Sequence, residues 1–168
     1  PIIDKFKAWA LASILENPQC HIQWLYGYVG CGKSAIAQTL AEEIAELGKL
    51  AGSFFFFRGA DERNRIAKLP VTLAYQLSIS VPATEPWIRK AVTDDPTLIT
   101  PGAHSLRTRM TRLVYVPFMS ATTSPDHTAP ASATISPYLF VIDGLDECVD
   151  HDQVEEFVEG LLSFFECH

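Results

Sequence analysis

Apolar residues along this chain recur either every three to four positions or in short unbroken runs, and the switches between the two rhythms mark out its elements. Residues 4–16 bring Phe6, Trp9, Ala10, Ser13 and Ile14 near one helical face, and Asn17-Pro18 stops that pattern. Residues 21–26 are β-prone through Ile22, Trp24 and Tyr26, predict a strand, and run into a glycine-rich turn. From Lys33 to about residue 47 the positions Ile36, Leu40, Ile44 and Leu47 keep helical spacing, with Gly48 as the C-terminal cap.

Residues 50–57 hold four consecutive phenylalanines without polar alternation, which predicts a strand covered on both faces in a parallel sheet. After a charged loop at 61–65, Leu69, Leu73 and Leu77 repeat at helical spacing, with Pro70 tolerated in the first turn. Two proline-bounded helices are expected near 87–92 and 105–116. Residues 119–137 are Ser, Thr, Ala and Pro almost throughout, have little to bury, and are expected to form a flexible surface insertion. Residues 138–142 form a fully apolar strand that ends in Asp143, Gly144, Leu145, Asp146 and Glu147. A last helix is expected from Asp152, with Glu155 completing a capping box and Val154, Phe157, Val158, Leu161, Leu162 and Phe165 forming its stripe. No internal repeat is visible. Strands alternating with helices predict an α/β domain with a parallel sheet in three layers.

At 168 residues the chain holds one domain, 1–168, with a sizeable core. Its hydrophobic share of 48% and charged share of 20% are those of a packed globular protein. The formal net charge of -7 argues against a phosphate-backbone binder, which needs clustered Lys and Arg, so no nucleic-acid partner is expected. Cys20, Cys31, Cys148 and Cys167 fall in no zinc or disulfide spacing and read as reduced, which places the expected location in the cytoplasm. No apolar run reaches the length of a membrane span, so no membrane association is expected. The chain begins at Pro1 without a signal peptide, and its start is read as a cut or processed end.

The candidate chemistry lies in two places. Gly27, Tyr28, Val29, Gly30, Cys31, Gly32, Lys33 and Ser34 match G-x-x-x-x-G-K-[ST] between an expected strand and an expected helix, the context that gives this pattern its meaning. Gly27, Gly30 and Gly32 allow backbone geometries in which successive N–H groups point inward as an anion nest, and the helix N-terminus adds partial positive charge. Lys33 brings a point charge to the β- and γ-phosphates, and the Ser34 hydroxyl is suited to magnesium. Asp143, at the carboxyl end of an apolar strand, is the expected second magnesium ligand. Glu147, or Asp146, is the expected general base or water-orienting group. The competing readings are a glycine turn without a ligand, and a helix N-terminus that favours acidic residues on its own.

Other polar residues carry less. Arg58 lies near the carboxyl edge, where it reads as a solvated residue more readily than as a nucleotide contact. Arg107, Arg109 and Arg112 read as a solvated helix face. His21, His104, His127, His151 and His168 read as loop or surface residues, and Trp9, Trp24 and Trp87 as core more readily than as base-stacking platforms.

The strings G-Y-V-G-C-G-K-S, A-G-S-F-F-F-F-R-G, L-P-V-T-L-A-Y-Q-L and F-V-I-D-G-L-D-E-C, in this order, resemble the NACHT domain of fungal NOD-like receptors, also described as a nephrocystin-3-like N-terminal NTPase domain. The resemblance spans nearly the whole chain. It implies a STAND-type P-loop NTPase that acts in signal transduction, closed with ADP and self-associating with ATP, within a longer receptor chain. It also implies slow hydrolysis that resets a state. Lys33 and Ser34 would serve phosphate and magnesium, Asp143 magnesium, and Asp146 with Glu147 hydrolysis.

The chain departs from that family by ending before the strand and arginine that follow the Walker B region, and before the winged helix. The family's strand order places the missing strand between the P-loop strand and the Walker B strand. The chain is therefore expected to pair strands that normally do not touch, or to leave backbone groups unsatisfied at about 1 to 3 kcal/mol each when buried. The expected ligands are ATP or ADP with Mg2+, and hydrolysis in this piece is expected to be weak or absent. The alternatives are a truncated remnant that binds no nucleotide and a metabolic P-loop kinase, for which neither an acceptor pocket nor an arginine-bearing lid is identifiable. A GTPase lacks its N-K-x-D string here, and an ABC ATPase its L-S-G-G-Q.

Overall fold

The computed structural model describes residues 2–11, 21–57, 59, 65–123 and 138–167. Its main elements are α1 (Ile2–Leu11), α2 (Lys33–Glu46), β1 (Leu50–Phe55), α3 (Leu69–Ser80), α4 (Glu85–Asp94), α5 (Leu106–Met110), α6 (Val116–Thr123), β2 (Leu139–Asp143) and α7 (His151–Cys167), joined in part by 3-10 turns. No helix among the described residues is long and apolar enough to cross a membrane.

The apolar runs at 50–57 and 138–142 give the two strands, but β1 stops at Phe55, short of the expected residue 57, and Phe57 is exposed rather than covered; the strands pair in parallel from Leu50↔Leu139 to Phe55↔Asp143 with one irregularity between Leu50 and Gly52. The ladder is prolonged by Leu139 N–H donating to Lys49 O and Phe56 N–H donating to Asp143 O. Each face is covered by a helix. On one side α3 approaches so closely that a Cβ on Gly52 would lie 2.9 Å from Gln76 Oε1. The side-chain oxygen of Gln76 also accepts the Ser53 N–H at 2.6 Å, which occupies the outer edge of β1. On the other side α2 packs over both strands. Alternation along β2 sends Phe140 and Ile142 into the main core and Val141 toward α2.

The main core lies on the α3 side, where Leu69, Leu73 and Leu77 are buried as their spacing predicts. Phe54, Phe56, Leu98, Leu113 and Phe157 join them. α7 begins one residue before the expected start, with Asp150 O accepting from Gln153 and Val154 N–H. Its Phe157 is buried, whereas Leu162 of the expected stripe is exposed. α1 packs on α2 through a half-buried face, pinned by Lys7 Nζ to Glu43 Oε2 at 2.7 Å. The remainder of the expected first helix, 12–16, lies outside the described residues.

Four expectations are corrected. Residues 21–26 do not form a strand: 21–28 runs outside the sheet, with Trp24, Tyr26, Tyr28 and Val29 exposed. Strand propensity needs a neighbouring edge to pair with, and this segment pairs with neither of the two strands. Of the expected surface insertion, residues 119–123 are the end of α6, and 124–137 lie outside the described residues. The helix from Leu106 runs on past the expected stop at 116, because a π-helical segment at Thr111–Tyr115, in which Val116 N–H reaches Thr111 O, widens the turn ahead of Pro117. A proline lacks the N–H that an ordinary turn requires and its ring crowds the preceding turn, and the wider spacing relieves both.

The fourth correction concerns the arginines and tryptophans. Arg109 is only 2% exposed and does not belong to a solvated face. Its Nε donates to Leu98 O at 2.8 Å and its NH1 to Ala67 O at 2.7 Å, so one guanidinium fastens two turns to α5. Its NH2 has no partner among the described residues, and burial pushes its pKa down. Arg112 donates to Asp95 Oδ2 at 2.7 Å, beside His104 Nε2 at 3.0 Å from the same oxygen, and only Arg107 of the three remains exposed. Trp24 and Trp87 are exposed and lie outside the core.

Candidate functional site

The chain turns at residues 27–32, where Cys31 N–H donates to Tyr28 O at 3.3 Å. Gly30 and Gly32 take φ of 82° and 87°, the left-handed region that side chains disfavour, while nothing crowds the place of a Cβ at either. The requirement there is backbone shape. Gly27 serves differently from the expectation that all three glycines supply unusual dihedrals. Its φ is not positive, and a Cβ on it would lie 2.9 Å from Cys31 Sγ.

α2 starts directly at Lys33, and its first helical bond runs from Ile36 N–H to Gly32 O. The N–H groups before Ile36 therefore have no carbonyl within the helix, and the helix dipole adds partial positive charge at this end. The Lys33 ammonium folds back on the turn, donating to Gly27 O at 3.0 Å and Tyr28 O at 3.2 Å. An ammonium has three donors, so one is left over once the loop is closed. Ser34 is exposed at the same helix end, and Tyr28 and Val29 form the rim of the loop at 92% and 97% exposure.

Asp143 closes β2. The short turn at 47–49 reverses the chain between α2 and β1, so α2 runs antiparallel to both strands and its N-terminus lies at their carboxyl ends. Side-chain alternation places Asp143 on the same face of β2 as Val141, the face covered by α2. Lys33, Ser34 and Asp143 thus share one end and one face of the sheet. No ion pair or hydrogen bond from the described residues engages the Asp143 carboxylate, and Lys33 is turned to its own loop. Asp146 and Glu147 follow in a 3-10 turn, with Glu147 N–H donating to Gly144 O at 2.8 Å; Asp146 is exposed and Glu147 half-buried. Arg58 lies outside the described residues.

Gly144 makes the turn from Asp143 to the acidic pair possible. Its φ is 74°, and a Cβ on it would lie 3.0 Å from Phe56 O and 3.3 Å from Phe56 Cβ. Gly144→Ala is expected to destabilise the protein by about 1–2 kcal/mol from the left-handed conformation alone. A lowered urea midpoint at unchanged slope is the result that checks it.

Beside the loop lies a cleft of about 330 Å3 between α1 and the segment leading to Gly27, lined by Ile2, Lys5, Phe6, Gln23, Trp24 and Tyr26 among others. Sequence reading missed it by assigning Trp24 to the core.

A family model for the N-terminal part of nephrocystin 3 matches residues 4–168. The chain belongs to the nephrocystin 3 N-terminal family. The match takes in the loop at 27–34, both strands and α7. No curated protein and no solved structure matches the chain.

Proposed function

We propose that this nephrocystin 3-like region is a nucleotide-binding module of a longer signalling protein, taking Mg-ATP or Mg-ADP at the loop 27–34. The observation that carries the reading is the Lys33 ammonium fixed on two carbonyls of a left-handed glycine turn at the N-terminus of α2, with Asp143 at the same end and on the same face. Backbone N–H groups of the turn and the remaining Lys33 donor suit the β- and γ-phosphates. The donor set also fits a hard divalent cation, since Ser34 and Asp143 offer oxygen ligands without a competing cation on the carboxylate. Magnesium bound there would neutralise phosphate charge. Glu147, and next to it Asp146, is the carboxylate for orienting a water, and the resemblance to NACHT domains supports slow turnover that resets a switch, with ATP favouring self-association.

A remnant that binds nothing is the second reading, favoured by the exposure of the segment 21–28 outside the sheet. Thermal unfolding with and without Mg-ATP decides between them. Nucleotide at a hundred times its dissociation constant adds about 2.7 kcal/mol to the folded state. For a domain of this size the melting temperature is expected to rise by about 5 °C or more. An unmoved transition at millimolar Mg-ATP overturns the binding reading.

A further inference from the structure

We infer that Trp24 is the platform on which the adenine of that nucleotide stacks and that Gln23 reads its edge; this rests on the phosphate-loop reading above. The cleft that Trp24 lines is walled on one side by Phe6 and Lys5 of α1 and on the other by Gln23, Trp24 and Tyr26. Trp24 is 52% exposed and no ring among the described residues stacks on it. An indole is among the largest apolar surfaces a side chain offers, and its faces favour offset stacking with another flat ring. A planar ligand in the cleft covers that surface.

Continuity with the loop says which ligand. The wall of the cleft ends at Tyr26, and the next residue along the chain is Gly27, whose carbonyl accepts from the Lys33 ammonium. Two residues, Leu25 and Tyr26, separate Trp24 from Gly27, so three steps of open chain span roughly 10 Å at about 3.3 Å per step, a reach of the order of a ribose and its first phosphates. One ligand with a flat ring at one end and a phosphate tail at the other spans both places. Gln23 narrows the base: its amide supplies one donor and one acceptor, which pair with the N7 acceptor and N6 amino donor of adenine, whereas guanine shows two acceptors on that edge.

The test measures binding of ATP, GTP and inorganic tripolyphosphate to the full chain and to its Trp24→Ala and Trp24→Phe variants, with magnesium throughout. Trp24→Ala is expected to weaken ATP about tenfold or more and to leave tripolyphosphate unchanged, because stacking on an aromatic acts on the base alone. Trp24→Phe should retain most of the ATP affinity, and the parent chain should prefer ATP to GTP. Equal ATP affinity in Trp24→Ala overturns the platform, as does a parallel loss of tripolyphosphate, which would mean damage to the loop. Equal affinity for ATP and GTP overturns the role of Gln23 in reading the base. If the parent chain binds neither ATP nor tripolyphosphate, the phosphate site itself fails and the platform falls with it, a result distinct from loss of the base contribution only.

Discussion

Arg109→Ala is expected to lower the free energy of unfolding by about 3–5 kcal/mol. The guanidinium is buried and donates to the backbone carbonyls of Leu98 and Ala67, which belong to two separate 3-10 turns. Truncation leaves both acceptors without their donor, at about 1–3 kcal/mol each, and opens a cavity between α5 and those turns. Relief of the desolvated charge offsets part of this, since burial already presses the guanidinium pKa downward. Arg109→Lys should fall between the two, because an ammonium cannot present the planar fork that serves both carbonyls. Urea unfolding at constant slope measures it, and a loss below about 1 kcal/mol for the alanine variant would show that the two turns are held by other contacts.

Lys33→Ala should reduce affinity for Mg-ATP by about a hundredfold or more. A charge-assisted hydrogen bond to a phosphate oxygen contributes about 1.5–3 kcal/mol, and the loop loses its only cation together with the clamp on Gly27 O and Tyr28 O. The turn is exposed, so the unfolding transition without nucleotide should stay within about 0.5 kcal/mol of the parent. Calorimetric titration gives the first quantity and melting the second. Unchanged affinity in a folded variant removes Lys33 from the site.

The elements that were legible in the sequence are those whose partners lie on the same stretch of chain. Leu69, Leu73 and Leu77 announce α3 because helical spacing is a local property, and the phenylalanine run announces β1 because a strand under helices needs no polar alternation. The loop and Asp143 could be read because glycine, lysine and serine stand at fixed contiguous offsets and the carboxylate ends an apolar run. Residues 21–26 could not, since a strand exists only by virtue of an edge elsewhere. Arg109 carried a usable signal: Leu106 precedes it by three positions and Leu113 follows by four, so the helical period sets it on the apolar face. The charge of its side chain outweighed that period in the reading. Pro117 suggested a stop, and only the widened turn before it lets the helix pass.

Gln76 has one more effect. By holding the Ser53 N–H it takes up one donor on the free margin of β1, which leaves that flank less open to a further strand. A strand entering on the opposite flank, beside β2, would have Asp143 as a neighbour.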